Sequence, residues 1–519
     1  MKKYLFIALA ALGFAACAEN GEQNAPVQKG ELEQSYVAIT LAADDITRAD
    51  DGVYEEGLAE ERAVKSAYVF FFKDGAAFPV AFDGTTSTNA GPNNYLKVNL
   101  TGTEEDMPNV SDVKDAVLVL QNYKGEYPNQ IVAVLNWTPT NASYNLDNLK
   151  TEISALGNAT NGFVMSNAVY ADGEGQVVDA VDLTIANIGK SAEEALDHPV
   201  TIHVERVAAK VVFTAENEGR FAIEKEIEGK PVYAQIKGFE LYNDYQESYL
   251  IKRINPTWNV GFNWNDPNFF RSYWATSLDT TFPENTFAWD TDNTAIDGYV
   301  YCGENTRTWA ADADVRTKVV VKAQLVDVNG NPFEVVNWYG KDYIGEEDLR
   351  TVVANTLKNT YFSSADGTTF VGLTPDDIKC VDRAETDEKA YEVYFQLSDT
   401  GAAKMWYKYE GGNYNYIYGT TMNTALAAVQ PALVYKNGMT YYWLDIKHLG
   451  AADTTAEYGI VRNHVYKVNI NDITGYGTPV YDGTTDFINL EKPEDIVTYV
   501  SAQINILSWR VVENDYDLN

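Results

Sequence analysis

Val500 to Asn519 reads VSAQINILSWRVVENDYDLN, and its alternation is the strongest structural signal in the chain. Val500, Ala502, Ile504 and Ile506 alternate with Ser501, Gln503 and Asn505, the period-two pattern of a strand with one buried face. After Ile506 the apolar residues fall on Leu507, Trp509 and Val511, the opposite parity. A one-residue shift turns side chains to the other face, so two strand pieces joined by a bulge near Ile506-Leu507 are expected. Most chain ends are frayed and polar. A terminal strand of this kind needs a sheet to bury it, in its own chain or in another subunit.

The same period runs through the body of the chain. Tyr68 to Phe72 (YVFFF), Ala116 to Leu120 (AVLVL) and Ile131 to Leu135 (IVAVL) read as buried strands. Val200 to Glu205 alternates, and Val207 to Phe213 continues the pattern. Tyr233–Tyr242, Lys318–Val326, Glu392–Gln396, Met439–Leu444 and Val465–Ile470 follow, separated by turn residues such as Lys436-Asn-Gly and Glu410-Gly-Gly-Asn. Short helices are expected at Asn145–Leu156 and Lys190–Leu196. The chain therefore reads as all-β: two β-sandwich domains of transthyretin-like or Greek-key kind, with short helices and loop insertions. At 519 residues it is too long for one sandwich. The polar stretch Thr214–Lys230 sets the division near Glu218, giving domains at 49–218 and 219–519, the latter ending in the terminal strand at 498–519. Residues 254–312, rich in Trp, Asn, Asp and Phe, read as elaborated loops.

The opening residues concern export. Met1 to Ala16 carries Lys2 and Lys3 ahead of a short apolar run, Leu5–Leu12, that is too short to span a bilayer. Ala15 and Ala16 precede Cys17, a pattern that resembles a lipobox, although Phe14 stands where Leu or Val is usual. Residues 1–16 thus read as a lipoprotein signal peptide, with Cys17 as the lipidated N-terminus and lipid as the membrane attachment of the precursor.

Composition favours a solvated surface protein. The formal net charge of -36 opposes binding to nucleic acid phosphates and anionic lipid surfaces. Thirty-five Tyr and 10 Trp suit sheet faces and broad contacts, and argue against disorder. Catalytic signatures are weak. His198, His203, His448 and His464 form no HExxH, and the chain has no GxSxG, P-loop or dinucleotide fingerprint, so no enzyme, metal or cofactor is expected. Cys302 and Cys380 are too few for a disulfide framework, and a single bridge between them stays open. The tyrosine cluster Tyr407–Tyr418 (YKYEGGNYNYIY) reads as a hairpin with aromatic cross-strand pairs, with a carbohydrate platform as the alternative.

Several short motifs occur in order: Tyr36-Val-Ala-Ile-Thr-Leu-Ala, Ile46-Thr-Arg-Ala-Asp-Asp-Gly, Phe163-Val-Met-Ser-Asn, His203-Val-Glu-Arg-Val-Ala-Ala-Lys-Val, Val461-Arg-Asn-His-Val-Tyr-Lys-Val and Ile504-Asn-Ile-Leu-Ser-Trp-Arg-Val. With the lipobox-like signal, this set resembles the Bacteroidales (type V) fimbrillins, most closely the minor-fimbrium (Mfa-like) shaft subunits. Residues 230–440 carry little of the likeness. The resemblance implies a fimbrium (pilus) subunit that reaches the outer membrane as a lipoprotein and is cut by an arginine-specific protease after its first strand. Arg48, followed by Ala49, matches the cut; Arg62 competes with it. Residues 17–48 would then be a propeptide whose strand, with Val37, Ile39 and Leu41 inward, is removed. The resemblance also implies that the vacated groove takes the C-terminal strand of a neighbouring copy or related subunit, giving an extracellular fimbrium. Adhesion to a host or bacterial surface receptor and biofilm formation follow as expected roles. A lipid-anchored glycan-binding protein and a fimbrial tip or accessory subunit are the alternatives.

Overall fold

The computed structural model describes residues 32–44, 57–80, 93–98, 110–123, 125–171, 177–254, 275–278, 289, 294–306, 315–382, 392–448, 458–480, 500–508 and 512–514. The expected signal peptide, Cys17, Arg48, Ala49, Trp509 and Val511 lie outside them.

The first body is one curved sheet. Its elements are β1 (Leu32–Asp44), α1 (Ala59–Arg62), β2 (Ala67–Lys73), β3 (Tyr95–Val98), β4 (Val110–Tyr123), β5 (Gln130–Leu135), β6 (Met165–Asn167) and β7 (Val200–Arg206). The strand order is β2-β5-β6-β7-β1-β4, with β3 also paired to β2. The sheet encloses a core of Val37, Ile39 and Leu41 from β1, Val69 and Phe71 from β2, and inward residues of β4, β5 and β7. Phe70 and Phe72 point to the other side, where Tyr144, Leu146 and Leu149 cover them. Burial on both faces explains the unbroken YVFFF run. The short helix Leu146–Thr151 starts where Asn145 accepts a hydrogen bond from the Asn148 N–H.

The second body is a sandwich of two five-stranded sheets. One contains β8 (Ala209–Ala215), β11 (Tyr299–Cys302), β14 (His464–Ile473), β15 (Val500–Ser508) and β16 (Val512–Asn514), in the order β11-β8-β14-β15-β16. The other contains β9 (Arg220–Ile227), β10 (Lys230–Tyr242), β12 (Lys318–Val326) and β13 (Met439–Asp445) in chain order, closed by Thr478–Pro479. Between them pack Val211, Phe213, Tyr466 and Val468 against Phe239, Val319 and Val321. Phe213 and Phe239 stack with ring centroids 4.6 Å apart.

Three features depart from the sequence reading. Sheet membership changes at Val207-Ala208, between β7 and β8, and not near Glu218. The polar stretch at 214–230 instead lies within the second body, as a turn at Glu216–Gly219, where Asn217 and Glu218 adopt left-handed backbone conformations, followed by β9. β15 runs against β14 without a register shift at Ile506-Leu507; the shift lies between Ile470 and Asp472 of β14. A ladder that pairs every residue in turn leaves no bulge to change parity there. The large insertion also differs. β12 and β13 are paired neighbours, and described residues between them, from Val336 to Val434, build a further core around Val336, Leu349, Phe395 and Trp406. It includes a helix, Gly345–Leu357, that the strand pattern did not predict. Its signal was present as three acidic residues in the first turn and buried Leu349 and Val353 four positions apart. Cys302 and Cys380 are both unbridged: Cys302 belongs to the sandwich core and Cys380 to the insertion, where burial pushes its thiol up to about 12.

Candidate functional site

β1 is an interior strand. On one edge it pairs parallel with β7, from Ile39 opposite Val200 to Ala42 opposite His203. On the other it pairs antiparallel with β4, from Leu32 opposite Tyr123 to Asp44 opposite Val110. Val37, Ile39 and Leu41 are at most 2% exposed. They meet Ala116, Leu118 and Leu120 of β4 and Ile202 and Val204 of β7 in one core. Tyr36 exchanges two backbone hydrogen bonds with Gly189, which closes the outer end of the seat. β1 is thus held by backbone pairing on both edges and by every second side chain.

The C-terminal strand occupies a different kind of place. β15, carrying Val500, Ala502, Ile504, Ile506 and Leu507, pairs antiparallel with β14 of its own chain. Its other edge meets β16 over Ile504–Ile506. The terminal segment thus forms the margin of its sheet.

Between the two bodies lies a polar junction, built from the sequence motifs singled out above. Arg462 is fully buried and donates to Glu304 at 2.6 Å, to the Tyr249 carbonyl at 2.6 Å and to the Leu250 carbonyl at 3.2 Å. The neighbouring Asn463 accepts from the backbone N–H and the guanidinium of Arg206, both at 3.3 Å. Glu205 faces Lys252 at 3.6 Å, and burial lowers the affinity of Lys252 for its proton. Ser166 donates to the Leu250 carbonyl at 2.6 Å. Buried charges require such pairing. The motifs at Phe163, His203 and Val461 therefore converge on one region and fix how the first sheet sits against the sandwich.

A second cluster tethers α1. Glu61 is fully buried, and its carboxylate accepts from Lys210 at 2.8 Å, from the Tyr301 hydroxyl and from the Leu58 N–H at 2.7 Å. Its carbonyl accepts from Arg206 Nε at 2.8 Å. Burial pushes the Glu61 carboxyl up, but the bonds from Lys210, Tyr301 and Leu58 outweigh it and hold the group below its ordinary value. Sequence reading missed the pairing of Glu61 with Lys210, since the two residues lie 149 positions apart along the chain.

The remaining candidates are structural or superficial. His448 and His464 are buried, and His448 Nδ1 lies 3.0 Å from the Tyr466 hydroxyl. Among the described residues, no three His, Cys, Asp or Glu side chains group to hold a metal. The tyrosine cluster is a hairpin, Trp406–Glu410 against Asn413–Ile417, with Tyr407 opposite Tyr416 and Tyr409 opposite Tyr414. Trp406 is buried in the insertion's core, whereas Tyr409, Tyr414, Tyr416 and Tyr418 are exposed on the opposite side.

Fold and site together describe an all-β protein whose distinctive feature is a strand seat between two sheet edges. Residues 433–515, which contain β13 to β16, match the family described as major fimbrial subunit protein type IV, fimbrillin, C-terminal. That match likens the C-terminal part of the chain to the C-terminal segment of fimbrial subunits. Solved structures that align with the chain include a fimbrilin (fimA) from Porphyromonas gingivalis, at 13% identity and TM-score 0.39, covering 92% of this chain and 99% of that one. Another is the tip fimbrial protein Mfa3 from Porphyromonas gingivalis with C-terminal truncation, at 13% identity and TM-score 0.28, covering 90% of this chain and 99% of that one. Likenesses this distant leave the argument on the C-terminal match and on the strand topology. No curated protein matches the sequence significantly.

Proposed function

We propose that the chain is a shaft-type subunit of a minor-fimbrium (Mfa-like) cell-surface fimbrium. It is exported as an outer-membrane lipoprotein on Cys17 and cut between Arg48 and Ala49 by an arginine-specific protease. Subunits then polymerise by β-strand exchange. The observation that carries this reading is the interior position of β1, hydrogen-bonded along both edges. Withdrawal of β1 would leave two open ladders over an apolar floor, a surface that must be refilled. The C-terminal strand of the next subunit has the alternation to fill it.

Each apolar side chain seated contributes roughly 1.5–3 kcal/mol. Ordering the donor costs on the order of 1 kcal/mol or more per residue, and each ladder bond returns about 0.5–1.5 kcal/mol. A contact between one molecule's N-terminal body and another's C-terminus is head to tail, so it propagates into a filament. While β1 occupies its own seat, assembly is blocked. Adhesion and biofilm formation follow from the filament's place on the cell surface.

N-terminal sequencing of protein sheared from cells should return Ala49-Asp50-Asp51. Recovery of intact lipidated Cys17 on all surface material would overturn the reading. A second reading, a glycan-binding surface, is favoured by the exposed Tyr409, Tyr414, Tyr416 and Tyr418. Reproducible glycan-array binding that disappears on substitution of Tyr414 and Tyr416 would support it.

A further inference from the structure

Arg62 is the second arginine at which the pro-segment could end, and the structure treats the peptide bond after it unlike an exposed loop. On the N-terminal side, Glu61 is locked. Lys210 Nζ, the Tyr301 hydroxyl and the Leu58 N–H all donate to its carboxylate, and Arg206 Nε donates to its carbonyl. On the C-terminal side, Asn136 Nδ2 donates to the Ala63 carbonyl at 2.8 Å, and Asn136 Oδ1 accepts from the Lys65 N–H at 2.7 Å and the Ser66 N–H at 3.3 Å. Asn136 is held in turn by donating to the Phe163 carbonyl at 2.8 Å. Arg62 itself is the last residue of α1.

Proteases act on chain that can be drawn out as an extended segment, and they favour exposed loops. Cleavage after Arg62 would require α1 to unwind, Glu61 to leave its partners and Asn136 to release the following strand entry. A bond protected in this way is cut only through local opening, at a rate scaled by the population of the open form.

We propose that α1 with Glu61 is a lock that sets the downstream limit of processing: it protects the Arg62–Ala63 bond and confines arginine-specific cleavage to residues ahead of Leu58. This rests on the proposed removal of β1 by such a protease. The lock has a second consequence. Lys210 and Tyr301 belong to the sandwich, and Arg206 ends β7, one wall of the vacated seat. The chain that remains after processing therefore stays fastened beside the seat, and β2 keeps its place in the sheet when β1 leaves.

The test is limited digestion of the full-length precursor with a soluble arginine-specific protease, read by N-terminal sequencing and intact mass over time. The wild-type chain should yield a stable product beginning at Ala49 and none beginning at Ala63. Glu61→Ala should release the Ala63 product at least roughly tenfold faster, because a buried charge-assisted cluster is lost. Tyr301→Phe, which removes one donor and keeps the ring, should give a smaller increase and guards against a folding defect in the first variant. Equal rates of appearance of the Ala49 and Ala63 products from wild-type protein would overturn the lock. Resistance of the Arg62–Ala63 bond in folded Glu61→Ala would overturn it too. If wild-type protein resists at Arg62–Ala63 and is also uncut after Arg48, with Glu61→Ala opening the former, the lock stands and the proposed processing step fails.

Discussion

β1 and β15 are built alike and seated differently. Both alternate apolar and polar residues, and both are long strands near a chain end. β1 sits inside its sheet, with β7 on one edge and β4 on the other, while β15 is followed only by the short β16 at the margin. Removing the first parts the 14-residue β4 from the rest of the sheet and bares the core behind Val37, Ile39 and Leu41. Removing the second trims an edge. Unequal seats suit the proposed function, in which one strand is held until processing and the other is lent.

The comparison breaks most visibly in assembly. Truncation after Thr498 should abolish high-mass ladders on unheated gels and leave a folded monomer by circular dichroism; ladders that persist would end the donor role of β15. Next in size is Ile39→Asp. A carboxylate forced into the first core should destabilise the precursor by about 4 kcal/mol or more in denaturant titration. The same change should leave processed protein untouched, because β1 is no longer part of it. Lys210→Met should act equally on both forms, at about 3 kcal/mol, by stranding the buried Glu61 carboxylate.

A pH effect of the same cluster is smaller. Glu61 is held below its ordinary range, so its contribution is complete above about pH 4.5 and falls away as pH drops through the folded value. The thermal midpoint should therefore decline below about pH 4, and Glu61→Gln should lack that part of the acid limb. Smallest is Tyr416→Ser on the exposed hairpin face, expected to shift stability by within about 0.5 kcal/mol. A larger loss would mean that this face supports the insertion's core.

Much of the strand content was legible because alternation is local. Lys318–Val326 was read at its observed limits, and the hairpin pairing of Tyr407 and Tyr409 followed from two-residue spacing around Gly411-Gly412. Val37, Ile39 and Leu41 could be assigned inward for the same reason. The helix at Gly345–Leu357 was passed over because a 3.6-residue stripe lay among strand-like neighbours. The junction was legible only as motifs. Arg462 and Asn463 stood out in the sequence, but their partners at 304, 249 and 206 are far along the chain.

By itself the sequence determined the class of the protein: strands, turns, an acidic exterior and two terminal segments of unusual character. These follow from nearest-neighbour chemistry, since side-chain period and turn residues act over a few positions. The tertiary structure alone decided which sheet each strand joins. It placed β1 in an interior seat and β15 at a margin, moved the change of sheet to Val207-Ala208, and brought Lys210 to Glu61. Ladder bonds and buried ion pairs join residues by position in space, and a period along the chain does not encode that position.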